Sequence, residues 1–378
     1  MATPHVRAVI DLGALAQNVS VLKNRVGKSE LMAVVKAGGY GHGLVESGKA
    51  ALAGGAQWLA TALIQEALTL RESGIDAPIL AWLYTSDDQF SECIQSNIDL
   101  AVNSVASATA IADAAQALNR TARVHIKVDT GLGRNGVMLP DLPSLLRELN
   151  VRAAAGHITV VGIMSHFAYA DQPTNSTISM QIENFMSAVD QTQAAGFELQ
   201  VKHLANSAAT LGLPQTYLNL VRPGVAIYGV SPGGDVGSAI DHELKPVMSL
   251  RSSIALLKDV PAGTGLSYAH QYYTERDTRV ALIPAGYADG IPRAATNKGP
   301  VLIGGEIRTI AGRVCMDQFV LDVGGLDVEL GDEVVLFGDP AEGAPSLEAW
   351  ADAADTINYE IITRIGPRVA REYINVPW

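Results

Sequence analysis

Between residues 31 and 230 the chain repeats one pattern, in which a short apolar run is followed by a longer Ala- and Leu-rich amphipathic stretch and then by another apolar run. Uninterrupted short apolar runs suit strands covered on both faces, the condition of a parallel sheet flanked by helices. The candidate strands are LMAVVK (31–36), WLATAL (58–63), PILAWL (78–83), DLAVNS (99–104), VHIKVD (124–129), VVGIMSH (160–166), VKHLAN (201–206) and LNLVRPG (218–224). Between them lie helical patterns such as GLVESGKAALAGG, VASATAIADAAQALN and MQIENFMSAVDQTQAAG, several closing on Gly or Asn as helix C-termini do. Eight strands close a barrel, so the expected fold is α/β with an N-terminal (β/α)8 TIM barrel. An open doubly wound sheet would require an early Gly-rich fingerprint and fewer strands.

After residue 230 the texture changes. SPGGDVGSAIDHELKP, rich in Gly, Pro and acidic residues, reads as a linker and places a boundary near 240. Beyond it come β-rich runs bounded by Gly and Asp turns, among them TRVALIPAGY, GRVCMDQFVLDVG and GDEVVLFG, with one helical patch, SLEAWADAAD. The expected organisation is a barrel over 11–240 and a C-terminal all-β domain over 241–378, to which the N-terminal strand 1–10 is assigned. At 378 residues the chain is long enough for both.

Composition narrows the function. A formal net charge of −12 without any Lys/Arg cluster argues against a nucleic-acid partner. No stretch approaches the roughly 18 uncharged apolar residues of a membrane helix. The start, MATPHVRAVIDLGALAQNV, brings an acidic residue and a turn too early for a secretory segment, so a cytoplasmic location is expected. Cys93 and Cys315 are too few and too far apart for a disulfide framework or a zinc site, and no metal is expected.

Chemistry in a (β/α)8 barrel sits at the C-terminal strand ends. There the sequence puts Lys36, Arg134 a few residues past its strand, His166, Asn206 with Ser207, and Arg222. Lys36 closes an apolar run and opens KAGGYGHG, an expensive place for an ammonium group without a partner or a task.

AVVKAGGYGHG (33–43) resembles the pyridoxal-phosphate lysine signature of alanine racemases. HIKVDTGLGRNGV, GIMSHFAYAD, HLANSAA, VRPGVAIYG, GTGLSYAHQYY, AGYADGIPR, GRVCMDQ and TINYE follow in the family's order, so that the resemblance spans nearly the whole chain. It implies a racemase that interconverts L- and D-alanine, supplies D-alanine for the cell wall, and carries pyridoxal 5'-phosphate attached covalently to the Lys36 amine. Tyr40, Ser207, Tyr359 and backbone N–H groups of Gly224 and Val225 would then hold the phosphate, with Asn206 and His166 beside the cofactor. Arg222 would face the pyridine nitrogen, where many pyridoxal enzymes place a carboxylate. An arginine stays protonated, so the ring would be a weaker electron sink, suited to moving one proton with little leakage into transamination.

Racemisation needs proton carriers on opposite faces of one carbon. By resemblance these are Lys36 and Tyr268, the tyrosine reaching the barrel of the partner subunit in a homodimer, with Arg222 and His166 as sources of charge favouring its phenolate. Arg134 and Met316 would bind the substrate carboxylate. Lys127 matches a lysine that is carbamylated in many relatives, and Asp317, Tyr287, Arg293 and Arg313 match residues lining a narrow entrance. The sequence departs from the commonest pattern at Gly38 and Gly39, where many relatives carry Asn and Ala and where glycine is expected to loosen the loop, and at Pro223. The alternatives are a broad-specificity or serine racemase of the same fold, a decarboxylase, which needs an acidic partner at the ring nitrogen and a catalytic Cys in the β domain, and a cofactor carrier made of a barrel alone.

Overall fold

The computed structural model describes residues 5–85 and 88–378 and shows two compact units. One comprises Leu15–Gly39, Leu44–Leu244 and Pro377–Trp378; the other takes Tyr40–Gly43, Lys245–Val376 and the N-terminal residues up to Ala14.

The first unit is a parallel barrel. Its strands are β1 (Glu30–Val34), β2 (Trp58–Leu63), β3 (Ile79–Leu83), β4 (Asp99–Val102), β5 (Ala122–Asp129), β6 (Ile158–Met164), β7 (Val201–His203) and β8 (Leu220–Val221). They lie in the order β8-β1-β2-β3-β4-β5-β6-β7, every neighbouring pair parallel. All eight expected runs contain strands: Trp58–Leu63 matches its run, Ala122–Asp129 begins two residues earlier than read, and the strands leading to Lys36, Ser104, His166, Asn206 and Arg222 stop short of those polar tips. Backbone bonds at the last strand bring the ends together: Glu30 N donates to Asn219 O at 2.9 Å, Val34 N to Pro223 O at 3.0 Å and Arg222 N to Ala205 O at 2.8 Å.

Apolar strand residues such as Leu59, Leu80, Leu100, Val124 and Ile163 are wholly buried. Each such side chain contributes about 1.5–3 kcal/mol of burial, which is why these runs stay in register under their helices. Ser104 caps the helix Val105–Ala117 by accepting from Ser107 N at 3.1 Å. Among the described residues no helix is long and apolar enough to cross a membrane.

The second unit is built on strands. A six-stranded sheet runs Glu306–Thr309, Pro300–Ile303, Glu333–Phe337, Met248–Ser253, Val6–Asp11, Ala370–Ile374. Residues 1–4 of the expected N-terminal strand lie outside the described residues. A three-stranded sheet joins Leu256–Val260, Thr278–Ile283 and Phe319–Asp322. The single helical patch expected near the end is Leu347–Ala354, and a second helix, Asn358–Thr363, follows it where TINYE gives no long periodic pattern to read.

The short segment Tyr40–Gly43 is held in this unit by one arginine. Arg371 donates to Gly41 O twice at 3.2 Å, to Ile365 O at 2.7 Å, to Gly366 O at 2.6 Å and to Val369 O at 2.8 Å. Arg371→Leu leaves four carbonyls short of a charged donor, and we expect the melting temperature to fall by about 4–8 °C, read by calorimetry.

Candidate active site

Lys36 follows the apolar strand β1 after one further apolar residue, Val35, and the chain then turns in an unusual way. Ala37, Gly38, Gly39 and Tyr40 have φ of 55°, 62°, 66° and 51°, a run of left-handed residues. Gly39 N donates to Val35 O at 2.8 Å, and Gly38 N to Glu66 Oε1 at 3.0 Å, while Glu66 Oε2 accepts from Leu63 N at 3.3 Å. A left-handed conformation costs an ordinary residue roughly 1–2 kcal/mol and costs glycine nothing comparable. Gly38 and Gly39 therefore fit a fixed, hydrogen-bonded turn and do not loosen it.

Along β5 the polar residues alternate. Arg123, His125, Lys127 and Asp129 share one face, and the residues between them are apolar. Lys127 is buried, and burial, followed by the nearby charges of Arg222, Arg134 and Lys36, pulls its pKa down to about 8. Asp129 ends the strand: its Oδ1 accepts from the N–H groups of Gly131, Leu132 and Gly133 at 3.0, 3.0 and 3.1 Å, and its Oδ2 from Arg134 N at 3.0 Å. Burial alone would raise this carboxyl, but the four donors outweigh it and hold it below the usual range. Asp129 thus fixes the loop that presents Arg134.

Arg222, just past β8, is 4% exposed. It donates to His203 O and Ser165 O, both at 2.6 Å, and to His203 Nδ1 at 3.2 Å. Among the described residues none of its partners is a carboxylate. Burial brings its pKa down to about 9, so it remains a cation at neutral pH. Lys36 is also lowered, by burial first and then by Arg134, with Glu66 opposing. His166 follows β6, and burial with the charges of Arg222, Arg134, Lys36 and Lys127 drives it down to about 3. It is neutral at physiological pH and supplies no positive charge. Asn206 accepts from Ala209 N at 3.0 Å, and Ser207 Oγ accepts from Gly224 N at 2.8 Å and Ala226 N at 3.3 Å, so the Ser207 hydroxyl proton is left to donate. Val225 is buried beside it.

The barrel unit therefore assembles Lys36, Lys127, Arg134, His166, Asn206, Ser207, Arg222, Gly224 and Val225. The remaining residues singled out from the sequence belong to the β unit. Tyr40 and Tyr359 face one another with ring centroids 6.5 Å apart, and burial followed by Tyr359 raises the Tyr40 hydroxyl. Tyr268 is 70% exposed on a short turn whose neighbours Ser267 and Ala269 both have φ of 59°. Ser267 Oγ ties this turn to Arg313 O at 2.8 Å and lies 3.3 Å from Cys315 Sγ. Tyr287 N donates to Cys315 O at 3.0 Å and Ala288 N to Met316 O at 2.9 Å, joining the loop that leads to Arg293 with the loop of Met316 and Asp317. Asp317 Oδ1 accepts from Arg368 at 2.7 Å.

Three residues that order this arrangement, His125, His203 and Asp129, lie inside motifs quoted above without being singled out; Asp99 and Glu66 also escaped notice. The alternation Arg-His-Lys-Asp on β5 was a usable signal, since four polar residues on one face of an otherwise apolar strand need partners. Nothing in the sequence pairs His125 with His203, 78 positions away.

A barrel with an amine and a carboxylate-free arginine at its strand ends, followed by an all-β domain, defines a class of amino-acid-converting barrel enzymes. Comparison with known proteins narrows the class. The family model for the alanine racemase N-terminal domain matches residues 10–232, and that for the C-terminal domain matches residues 247–373. The chain is 51% identical to the alanine racemase of Frankia casuarinae, over 97% of this chain and 96% of that one, and 49% identical to that of Thermobifida fusca, over 97% of each. The crystal structure of alanine racemase from D-cycloserine-producing Streptomyces lavendulae superposes with a TM-score of 0.98 at 48% identity, covering 99% of this chain and 98% of that one. The chain belongs to the alanine racemase family, whose members are pyridoxal-phosphate-dependent isomerases.

The left-handed turn gives a test that separates two neighbouring glycines. A Cβ on Gly38 would meet nothing within 4 Å, whereas one on Gly39 would lie 2.5 Å from Ser47 Oγ and 3.0 Å from Ser47 Cβ. Gly39→Ala should destabilise by about 1–3 kcal/mol in urea titration, and Gly38→Asn, which asparagine's tolerance of this backbone favours, by less than about 1 kcal/mol.

Proposed function

We propose that this protein interconverts L-alanine and D-alanine by a two-base mechanism, with pyridoxal 5'-phosphate held at the C-terminal face of its barrel. The observation that carries the reading is Arg222, a buried cation with no carboxylate partner among the described residues, which acts on Lys127 and His166 together with Lys36, a strand-end amine of lowered pKa. The donor set fits the cofactor. Lys36 offers an amine for covalent attachment, and Lys36, Lys127, Arg134 and Arg222 lie close enough to depress one another or a shared neighbour, a concentration of positive charge that favours a phosphate and a carboxylate. The Ser207 hydroxyl and Val225 N–H are placed here as phosphate donors, ordered by Gly224, with Tyr40 and Tyr359 supplying hydroxyls and Asn206 capping the segment that carries Ser207.

Bound, the cofactor supplies the electron sink that makes the substrate Cα–H acidic. Everything else falls to the chain. Lys36, its pKa lowered by burial and by Arg134, takes or returns a proton at one face of Cα. Tyr268, exposed on the β unit, does so at the other face in the barrel of a partner subunit, in a homodimer. Because His166 is neutral, the charge favouring the phenolate comes from Arg222, with His166 passing a hydrogen bond. Arg134, on the loop that Asp129 fixes, and Met316 bind the substrate carboxylate. Carbamylation of Lys127, whose pKa of about 8 leaves part of the amine neutral at mildly alkaline pH, would place an anion among three cations. Tyr287, Arg293, Arg313 and Asp317 line the entrance and favour a methyl-sized side chain. The barrel spans 11–240 in this reading and the β domain the remainder. The enzyme acts in the cytoplasm and supplies D-alanine for peptidoglycan.

Decarboxylation is disfavoured by Arg222, since that chemistry needs an acidic group at the ring nitrogen, and by Cys315, which is engaged with Ser267. Purified protein should be yellow and should racemise L-alanine faster than L-serine or L-lysine in a chiral assay. Lys36→Ala should lose both colour and activity, and retention of a reducible cofactor adduct would overturn the assignment. Tyr268→Phe should slow solvent deuterium uptake from one enantiomer more than from the other; equal slowing in both directions would count against two bases.

A further inference from the structure

A chain of hydrogen bonds runs through the barrel interior and ends on Arg222. From the N-terminal end of β4, Asp99 Oδ2 lies 3.1 Å from His125 Nε2; His125 Nδ1 lies 2.8 Å from His203 Nε2; and His203 Nδ1 lies 3.2 Å from an Arg222 nitrogen. Asp99 is 2% exposed and both imidazoles are wholly buried. At its far end Asp99 also accepts from Arg123, at 2.8 and 3.2 Å. Burial would raise the Asp99 carboxyl, but His125 and Arg123 outweigh it and keep it ionised.

The partners fix every proton. A guanidinium only donates, so His203 Nδ1 must accept, and the His203 proton sits on Nε2. That proton goes to His125 Nδ1, which leaves the His125 proton on Nε2, facing the Asp99 carboxylate. The direction is the same at each link, from Arg222 to Asp99, with both rings neutral. A second proton on His203 would set a cation against Arg222, and burial together with Arg222 holds that ring well below the ordinary histidine range. The rings are also packed in place. Trp58 meets His125 edge-on at 5.8 Å, and a Cβ on Gly162 would come within 2.8 Å of His125 Nδ1 and 2.6 Å of Val201 Cγ2.

We infer that Asp99 and His125 are positioning residues that act through His203 to hold the Arg222 guanidinium in one plane while keeping its countercharge two rings away from the barrel mouth. An apolar filling of the same volume would stabilise the barrel as well or better, so stability alone does not account for a buried polar chain of this length. What the chain adds is direction. A carboxylate placed directly on Arg222 would orient it but also neutralise it, whereas Asp99, acting through two neutral imidazoles, orients it and leaves its charge at the strand ends. The inference rests on Arg222 having the role proposed above.

The test is to reverse the proton order. In Asp99→Asn, Arg123 claims the amide oxygen, the amide nitrogen faces His125, and the chain inverts, so that His203 carries its proton on Nδ1 against Arg222. In Asp99→Asn/Arg123→Leu the amide is free to turn its oxygen toward His125, which restores the order. We expect 15N resonances of histidine-labelled protein, without and with pyridoxal 5'-phosphate, to show Nε2–H tautomers for His125 and His203 in the parent, an Nδ1–H tautomer for His203 in the single variant, and Nε2–H again in the double variant. Racemisation by the holoenzyme should lose about tenfold in kcat in the single variant with KM moved less than about threefold, and recover in the double variant. A merely structural role would make the double variant worse than the single one and would overturn the inference. An Nδ1–H tautomer of His203 in the parent would overturn it even if Asp99→Asn does not fold. Inverted tautomers with kcat within twofold of the parent would also overturn it while leaving the reading of Arg222 and Lys36 intact; that reading fails instead if Lys36→Ala stays active.

Discussion

The site depends on a buried cation that, among the described residues, no carboxylate touches. Arg222 is nearly inaccessible, yet its hydrogen bonds go to three backbone carbonyls, two at 2.6 Å and one at 3.5 Å, and an imidazole at 3.2 Å. Desolvating a guanidinium is costly unless its donors are satisfied, and these acceptors satisfy them without neutralising the charge. With no carboxylate in contact, the charge then acts on what lies near. Lys127 and His166 are both displaced downward with Arg222 among the causes. A neutral His166 and a partly neutral Lys127 follow from their burial first and then from Arg222 and the other cations around them.

The barrel supplies the places and the backbone supplies the directions. Parallel strands end together on one face, so residues from 36 to 222 reach the same region although far apart in sequence. Past the strand ends, single side chains do the aiming. Asp129 gathers four N–H groups to set the loop of Arg134, Glu66 holds Gly38 while capping its own helix, and Ser207 gathers Gly224 and Ala226. In each case one polar side chain closes a loop that would otherwise sample many conformations, which offsets ordering entropy locally.

Much of this was legible beforehand, for physical reasons. Doubly buried strands are mostly apolar, so the repeated apolar runs mark the barrel even though β5 alternates, and strand-end polar residues such as Lys36, Arg134 and Arg222 stand out against them. Capping and turn chemistry was harder to see. Asp129 and Glu66 look like ordinary surface carboxylates until the N–H groups they accept are placed. The alternation on β5 marks His125 as needing a partner but does not name it: His125 and Asp99 are 26 residues apart, His125 and His203 are 78 apart, and pairing across a barrel leaves no periodicity in the sequence. The glycines after Lys36 suggest looseness by composition, whereas the left-handed φ of the turn makes glycine the unstrained residue there.

Both residues proposed to carry protons sit beside backbone that ordinary residues avoid. Lys36 precedes four left-handed residues, two of them Ala37 and Tyr40, and Tyr268 stands between Ser267 and Ala269, with His270 at φ 44° just after. Non-glycine residues in this region cost of order 1–3 kcal/mol each and persist only where surrounding bonds over-determine them. Such bonds are present in each unit: Glu66 and Val35 grip the turn after Lys36, and Arg313 grips Ser267. A relaxed loop would present an amine or a phenol over a cone of directions. A proton carrier has to meet one face of one carbon at hydrogen-bond range, and a backbone held in a sparsely populated conformation by specific acceptors restricts that cone before any substrate arrives.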